Sequence, residues 1–137
     1  MKSRSESLIR LKKFQVDEKR RQVAQVESMI ADFERMASEL DQQIEIEQQK
    51  TGISDVAHFA YSTFAKAALQ RRDNLLASST DMKVKLEAAQ DDLAEALEHL
   101  KKVELLDQRE HGREQAAEAK EEQNEFDEIA RLRRARS

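Results

Sequence analysis

Apolar residues recur every seven positions along most of this chain, in two separate stretches. In the first, Ile9, Val16, Val23, Ile30, Ala37 and Ile44 form one line, and Lys12, Lys19, Val26, Phe33, Leu40 and Glu47 form a second line three residues on. In the second, Tyr61, Ala68, Leu75, Met82, Ala89, Ala96 and Val103 make one line, with Ala65, Arg72, Ser79, Leu86, Leu93 and Leu100 as its companion. A repeat of seven split three and four is the seam of a coiled coil, because it keeps one stripe of each helix facing a partner. The pattern predicts an all-α chain.

Between the stretches lies EQQKTGISDV, residues 47–56, which contains Gly52, one of only two glycines in a chain without proline. Gly52 suits the left-handed residue that closes a helix, and Ser54 or Asp55 can cap the next one. A short connection makes the two helices antiparallel neighbours. The expected fold is therefore an antiparallel two-helix coiled-coil hairpin with unequal arms, the second longer. It forms a single coiled-coil domain over 1–137, with helix 1 at about 4–50, a turn at 51–54 and helix 2 at about 55–133. With the turn centred near Gly52, facing residues have numbers summing to about 105, so Val23 meets Met82, Val16 meets Ala89 and Ile30 meets Leu75. Residues 1–21 carry eight Lys/Arg against three Asp/Glu and would lie beside Glu87, Asp91, Asp92, Glu95 and Glu98. In that register the second arm outruns the first from about residue 104. The overhang would extend ~50 Å, and a lone polar helix of this kind should fray.

Composition agrees with helices rather than a round core. Charged residues are 38% and aromatics 4% of 137 residues, too few large apolar side chains to fill a globule. Net charge is only −4, and the strict periodicity argues against disorder. Cysteine is absent, which removes disulfides and thiol chemistry and is compatible with a reducing cytosol. No apolar run approaches the ~18–20 residues of a membrane span, and MKSRSESLIRLKK has no continuous apolar segment of a secretory signal. We therefore expect a cytoplasmic chain without a transmembrane segment.

Catalytic chemistry has little material here. Neither a phosphate-cradling loop nor a dinucleotide fingerprint is present. His58, His99 and His111 are far apart in sequence and read as solvated helix-surface residues, with no metal-ligand spacing around them. The expectation is a protein that is not an enzyme and takes no cofactor or metal.

Three features stand out from the periodic background. Leu8, Leu11 and Phe14 form a stripe that mostly avoids the seam, readable as local packing or as a partner-binding strip. Around the turn, VAHFAYSTFAKAAL holds three of the six aromatics; Tyr61 belongs to the seam, whereas Phe59 and Phe64 do not and either cap the turn or dock a partner. In EEQNEFDEIARLRRARS, Phe126, Ile129 and Leu132 make an apolar stripe on a polar helix. Ten Asp/Glu against three Lys/Arg fill 104–128, and Arg131, Arg133, Arg134 and Arg136 follow. Arginines suit a last helical turn, but an apolar stripe without an internal partner marks a binding end.

Across these residues the chain resembles the FliJ family of the bacterial flagellar type III export apparatus. The likeness runs from Leu8-Ile9-Arg10-Leu11 and the basic heptad helix through the glycine-containing turn and Ala60-Tyr61…Phe64. It ends in Glu122-Gln123-x-x-x-Asp127-Glu128-x-Ala130-Arg131, within which Phe126 stands where a polar residue is expected. The resemblance implies a stalk, similar to the shaft of rotary ATPases, that sits in a hexameric export ATPase and contacts the cytoplasmic domain of the membrane export gate. It also implies an association with export chaperones and a place at the inner membrane of the flagellar base. On this reading Leu8, Leu11, Phe14, Phe126, Ile129, Arg131, Leu132 and Arg134 are the ATPase-binding residues, Phe59 and Phe64 face the gate, and the free chain is a monomer. The alternatives are the equivalent stalk of a virulence-type injectisome and a homodimeric coiled-coil scaffold. A nucleic-acid binder, suggested by KSRSESLIRLKK and RLRRARS, is disfavoured by the acidic block and negative net charge.

Overall fold

The computed structural model describes residues 4–136. Two helices account for nearly all of them: α1, Arg4–Thr51, and the longer α2, Thr63–Arg136. The chain is a helical hairpin, as the seven-residue repeat predicts. Every position of the four heptad lines is buried or half-buried, from Ile9 to Glu47 in α1 and from Tyr61 to Val103 around and along α2. Even the polar members Lys12, Lys19, Arg72 and Ser79 are covered. A seam position is shielded by geometry whatever residue fills it, and long cationic side chains lay their methylenes along it.

The described residues fall into two compact units, 17–95 and a second made of 4–16 with 96–136. Within the first, α1 and α2 are clamped where Arg72 meets Asp41 at 2.9 Å and Ser79 meets Glu34 at 3.2 Å. The residue numbers sum to 113 in both pairs, not to 105. Leu75 accordingly shares a hollow with Met36 and Leu40, and within this unit the expected pairs of Val23 with Met82 and Ile30 with Leu75 give way to the 113 register. The slip is about one heptad, to which a seven-residue repeat is blind. Glu27, Glu34 and Asp41 themselves recur every seven residues, so acidic partners for Ser79 and Arg72 survive the slip as well. Neither seam nor charge fixes the register.

The connection fixes it, and it is longer than the expected turn at 51–54. α1 does end at Gly52, whose φ of +71° is left-handed and whose N–H donates to the Gln48 carbonyl at 2.9 Å. The chain then runs non-helically to Ser62, so α2 begins at Thr63 rather than near 55. Asp55 caps only a local turn, accepting the Ala57 N–H at 3.0 Å. The helix cap is Ser62, whose hydroxyl accepts the Ala65 N–H at 3.2 Å and donates to Glu47 at 3.1 Å. Buried Tyr61 is held by Gln48, which donates to its hydroxyl at 2.9 Å. These ties to the end of α1 fix where α2 starts, and hence which heptads meet. Spin labels at Glu39 and Asn74, which line one hollow, should therefore lie close together. Met82 is level with residue 31 or so, leaving labels at Val23 and Met82 separated by about 12 Å more along the axis. A short distance for the second pair would restore the 105 register.

Ser79, buried in the seam, is satisfied through Glu34, which also takes Lys83 at 3.1 Å. The Lys83 ammonium first, and the Ser79 hydroxyl second, hold the Glu34 carboxyl below its ordinary value of 4.5. A carboxylate with a depressed folded-state value contributes stability above the unfolded value and loses it as pH falls through the folded one. Denaturation midpoints should drop on acidification from about pH 5 downward, and Glu34→Gln should flatten that slope. An unchanged slope would remove Glu34 from the account.

In the second unit, Ser5 donates to Glu110 at 3.2 Å, so α1 still accompanies α2 well past residue 104. The covered line of α2 ends at Asp107, and every residue from Gln108 to Ile129 is exposed. The uncovered stretch thus begins near 111 and spans about 39 Å to Arg136, shorter than the 104 boundary implied. Its seam positions read Glu110, Glu114, Ala117, Glu121, Asn124 and Glu128, which offer a partner helix almost nothing apolar. It is helical throughout, to Arg136. Local pairs along it are Gln123–Asp127 at 3.0 Å, Glu128–Arg131 at 3.6 Å and His111 with Asp107 and Glu114, each adding a few tenths of a kcal/mol. Arg133, Arg134 and Arg136 oppose the negative end of the helix dipole.

Candidate partner-binding surfaces

On the uncovered part of α2, Phe126, Ile129 and Leu132 are 69, 52 and 53% exposed. Steps of three residues rotate the stripe by 60° at each step on a helix of 100° per residue, so the three side chains cover one side of the last turns. Ala130 is the one half-buried residue there. Arg131 pairs with Glu128 of the preceding turn while remaining largely exposed, and Arg134 is also engaged. The surface combines an apolar patch with a cationic end beyond an acidic stretch.

Leu8, Leu11 and Phe14 are exposed on α1. Leu8 and Leu11 line an open groove of about 700 Å³ with Val103, Leu106, Asp107 and Glu110 of α2. Phe14 is not part of this groove. The structure does not unite these residues with the C-terminal stripe, since Leu106 and Phe126 are twenty residues apart on one helix, about 30 Å. Exposed Leu105 and Leu106 are additions that the sequence reading missed. They sit two and three residues past Val103, the last residue of the expected seam.

Phe59 and Phe64 occupy different settings. Phe59 is in the connection, 96% exposed, its ring stacked on His58 at 4.7 Å. His58 accepts the Ala60 N–H on Nδ1 at 3.0 Å, which orients the stacked pair. Phe64 lies on the first turn of α2 and lines a hollow with Leu40, Gln43, Ala67, Ala68 and Arg71. Leu40, Gln43 and Arg71 are shared with a larger hollow of about 510 Å³ that adds Met36 and Leu75. Together they form one groove along the hairpin, in which Met36, Leu40, Phe64 and Leu75 stand beside polar Glu39, Gln43, Arg71 and Asn74. Exposed Val56 and Ile46 extend the apolar surface near the connection. Sequence alone could flag Phe64 as off the seam, but not the residues from α1 that meet it.

Among the described residues no group of His, Cys, Asp or Glu is placed to hold a metal ion, and no helix is long and apolar enough to cross a membrane. Among the described residues Arg72 is the one cation held above its ordinary value, by Asp41 first and Asp73 second, and it belongs to the clamp between helices. Grooves and exposed stripes on paired helices suit them for binding other macromolecules.

The family model described as the flagellar FliJ protein matches residues 1–137, the full sequence. No curated protein and no solved structure compared with the chain matches it.

Proposed function

The chain belongs to the flagellar FliJ protein family, and from that premise we propose that it is the stalk that binds the hexameric export ATPase and couples it to the export gate. Membership gives it a role in flagellar protein export, as a non-catalytic component. The observation that carries the finer reading is the uncovered helix from about 111 to Arg136 with its exposed Phe126, Ile129 and Leu132. A helix that has lost its intramolecular partner, yet keeps three large apolar side chains, gains from being enclosed by a ring. Arg131 and Arg134 supply cations at the same end, and Leu8, Leu11 and Phe14 form a second, separate contact on α1.

The gate's cytoplasmic domain is assigned to Phe59 and Phe64. The groove that Phe64 shares with Leu40, Met36 and Leu75 supports this, because a groove lined from both helices can take an inserted element. An export-chaperone escort role and a cytoplasmic place at the base of the flagellum, against the inner membrane, complete the proposal. The free chain is a monomer, its partners being other proteins.

One experiment separates the two surfaces. Deleting residues 120–137 should abolish stimulation of the hexameric ATPase while preserving the hairpin's helicity and its binding to the gate domain. Phe64→Ala should do the reverse. Undiminished stimulation by the truncated chain would reject the ATPase assignment, and unchanged gate binding by Phe64→Ala would reject the groove.

A further inference from the structure

We propose that the N-terminal turns of α1 also form a lipid-facing surface, which docks the chain directly on an anionic bilayer. At 100° per residue, Leu8, Leu11 and Phe14 span an arc of about 120°, and all three are exposed. Lys12 borders that arc on the Leu8 side and Arg10 on the Phe14 side, with Lys13 beyond Arg10 and Arg4 within the arc. None of these four cations forms an ion pair with another described residue. Exposed Leu106 of α2 continues the apolar surface across the groove.

The arrangement has the features of an interfacial helix: apolar side chains that enter the acyl boundary, flanked by flexible cations that stay with the headgroups. Lys12 is half-buried, and a lysine can keep its ammonium at the surface while its methylenes are covered. Most of the nearby anions are engaged, Asp17 with Arg20 at 3.7 Å among them, and Glu18, four residues past Phe14 on the same arc, is an exposed exception. Glu6 is engaged within the protein, Asp107 lies 3.7 Å from His111, and Glu110 accepts from Ser5. Charge complementarity therefore favours a negatively charged surface, and the apolar arc favours lipid over nucleic acid, whose phosphates would leave Leu8, Leu11 and Phe14 in water. The proposal does not rest on the ATPase assignment, and its test contains no ATPase.

The test is co-sedimentation of the full chain with vesicles of phosphatidylcholine alone or mixed with phosphatidylglycerol, across a salt series. Binding is expected only to the mixed vesicles, weakening as salt rises. Arg10→Gln with Lys13→Gln should weaken it about fivefold for each cation removed, and Phe14→Ala about tenfold. Arg133→Gln with Arg136→Gln should leave it unchanged, as circular dichroism should be for every variant. Absence of binding to the mixed vesicles, equal binding to both kinds, or loss through the Arg133 and Arg136 changes alone would each overturn the proposal. Binding to duplex DNA in the absence of vesicle binding would reassign the patch to nucleic acid and overturn it too.

Discussion

Phe126→Ser, Ile129→Ser and Leu132→Ser, introduced together, should weaken binding to the hexameric export ATPase by about a hundredfold or more. Apolar anchors at an interface centre commonly contribute more than about 1 kcal/mol each, and three of them set that scale. The chain itself should hardly notice. All three side chains are more than half exposed, so no core is emptied, and serine in an exposed helix costs only about half a kcal/mol per site. Titration of ATPase stimulation against chain concentration, beside a thermal melt, reads both quantities. Wild-type stimulation by the triple variant would dismiss the stripe as the contact. A melting point lowered by more than these small helix-propensity costs would mean that the stripe packs within the protein after all.

Ile44→Ala should destabilise the hairpin by about 2–4 kcal/mol, whereas Ile46→Ala should change it by less than about half a kcal/mol. The two isoleucines are two residues apart on α1, yet Ile44 is 5% exposed and Ile46 62%. Ile44 is the last large aliphatic side chain of its line before the connection, close to Gln48 and Glu47, which tie Tyr61 and Ser62 to α1. Removing three of its carbons leaves a void among rigid helices that relax only in part. A marginally stable domain has little to spare against such a loss. Chemical denaturation of both variants decides the matter, and equal midpoints would contradict the seam as the main source of stability.

How much could be read before any coordinates depended on whether a feature was local. Gly52 as a helix terminator needs only the absence of a Cβ, and the structure places it there with a left-handed φ. The N-cap of α2 reads as Ser54 or Asp55 in the sequence, and Ser62, equally competent by chemistry, takes the role instead. The choice was settled by Glu47 and Gln48 of the other helix, which no local signal records. Tyr61 illustrates both sides: its burial follows from the heptad, while its position outside the helix does not. Among the candidate site residues, exposure of Leu8, Leu11, Phe14, Phe126, Ile129 and Leu132 follows from lying off the seam or beyond it. The groove around Phe64 does not, because Met36 and Leu40 reach it only in the register that the connection imposes.

By itself the sequence determined an all-helical hairpin, the residues that line its seam and the inequality of its arms. These follow from a repeat whose period matches the helix, and a period is written in the order of residues. Tertiary structure decided the length of the connection, the heptad-wide slip, the residue at which α2 loses its companion and the composition of both grooves. A repeating pattern matches itself equally well after a shift of one period, so only unique contacts, those of Tyr61 and Ser62 with α1, could select among the matches.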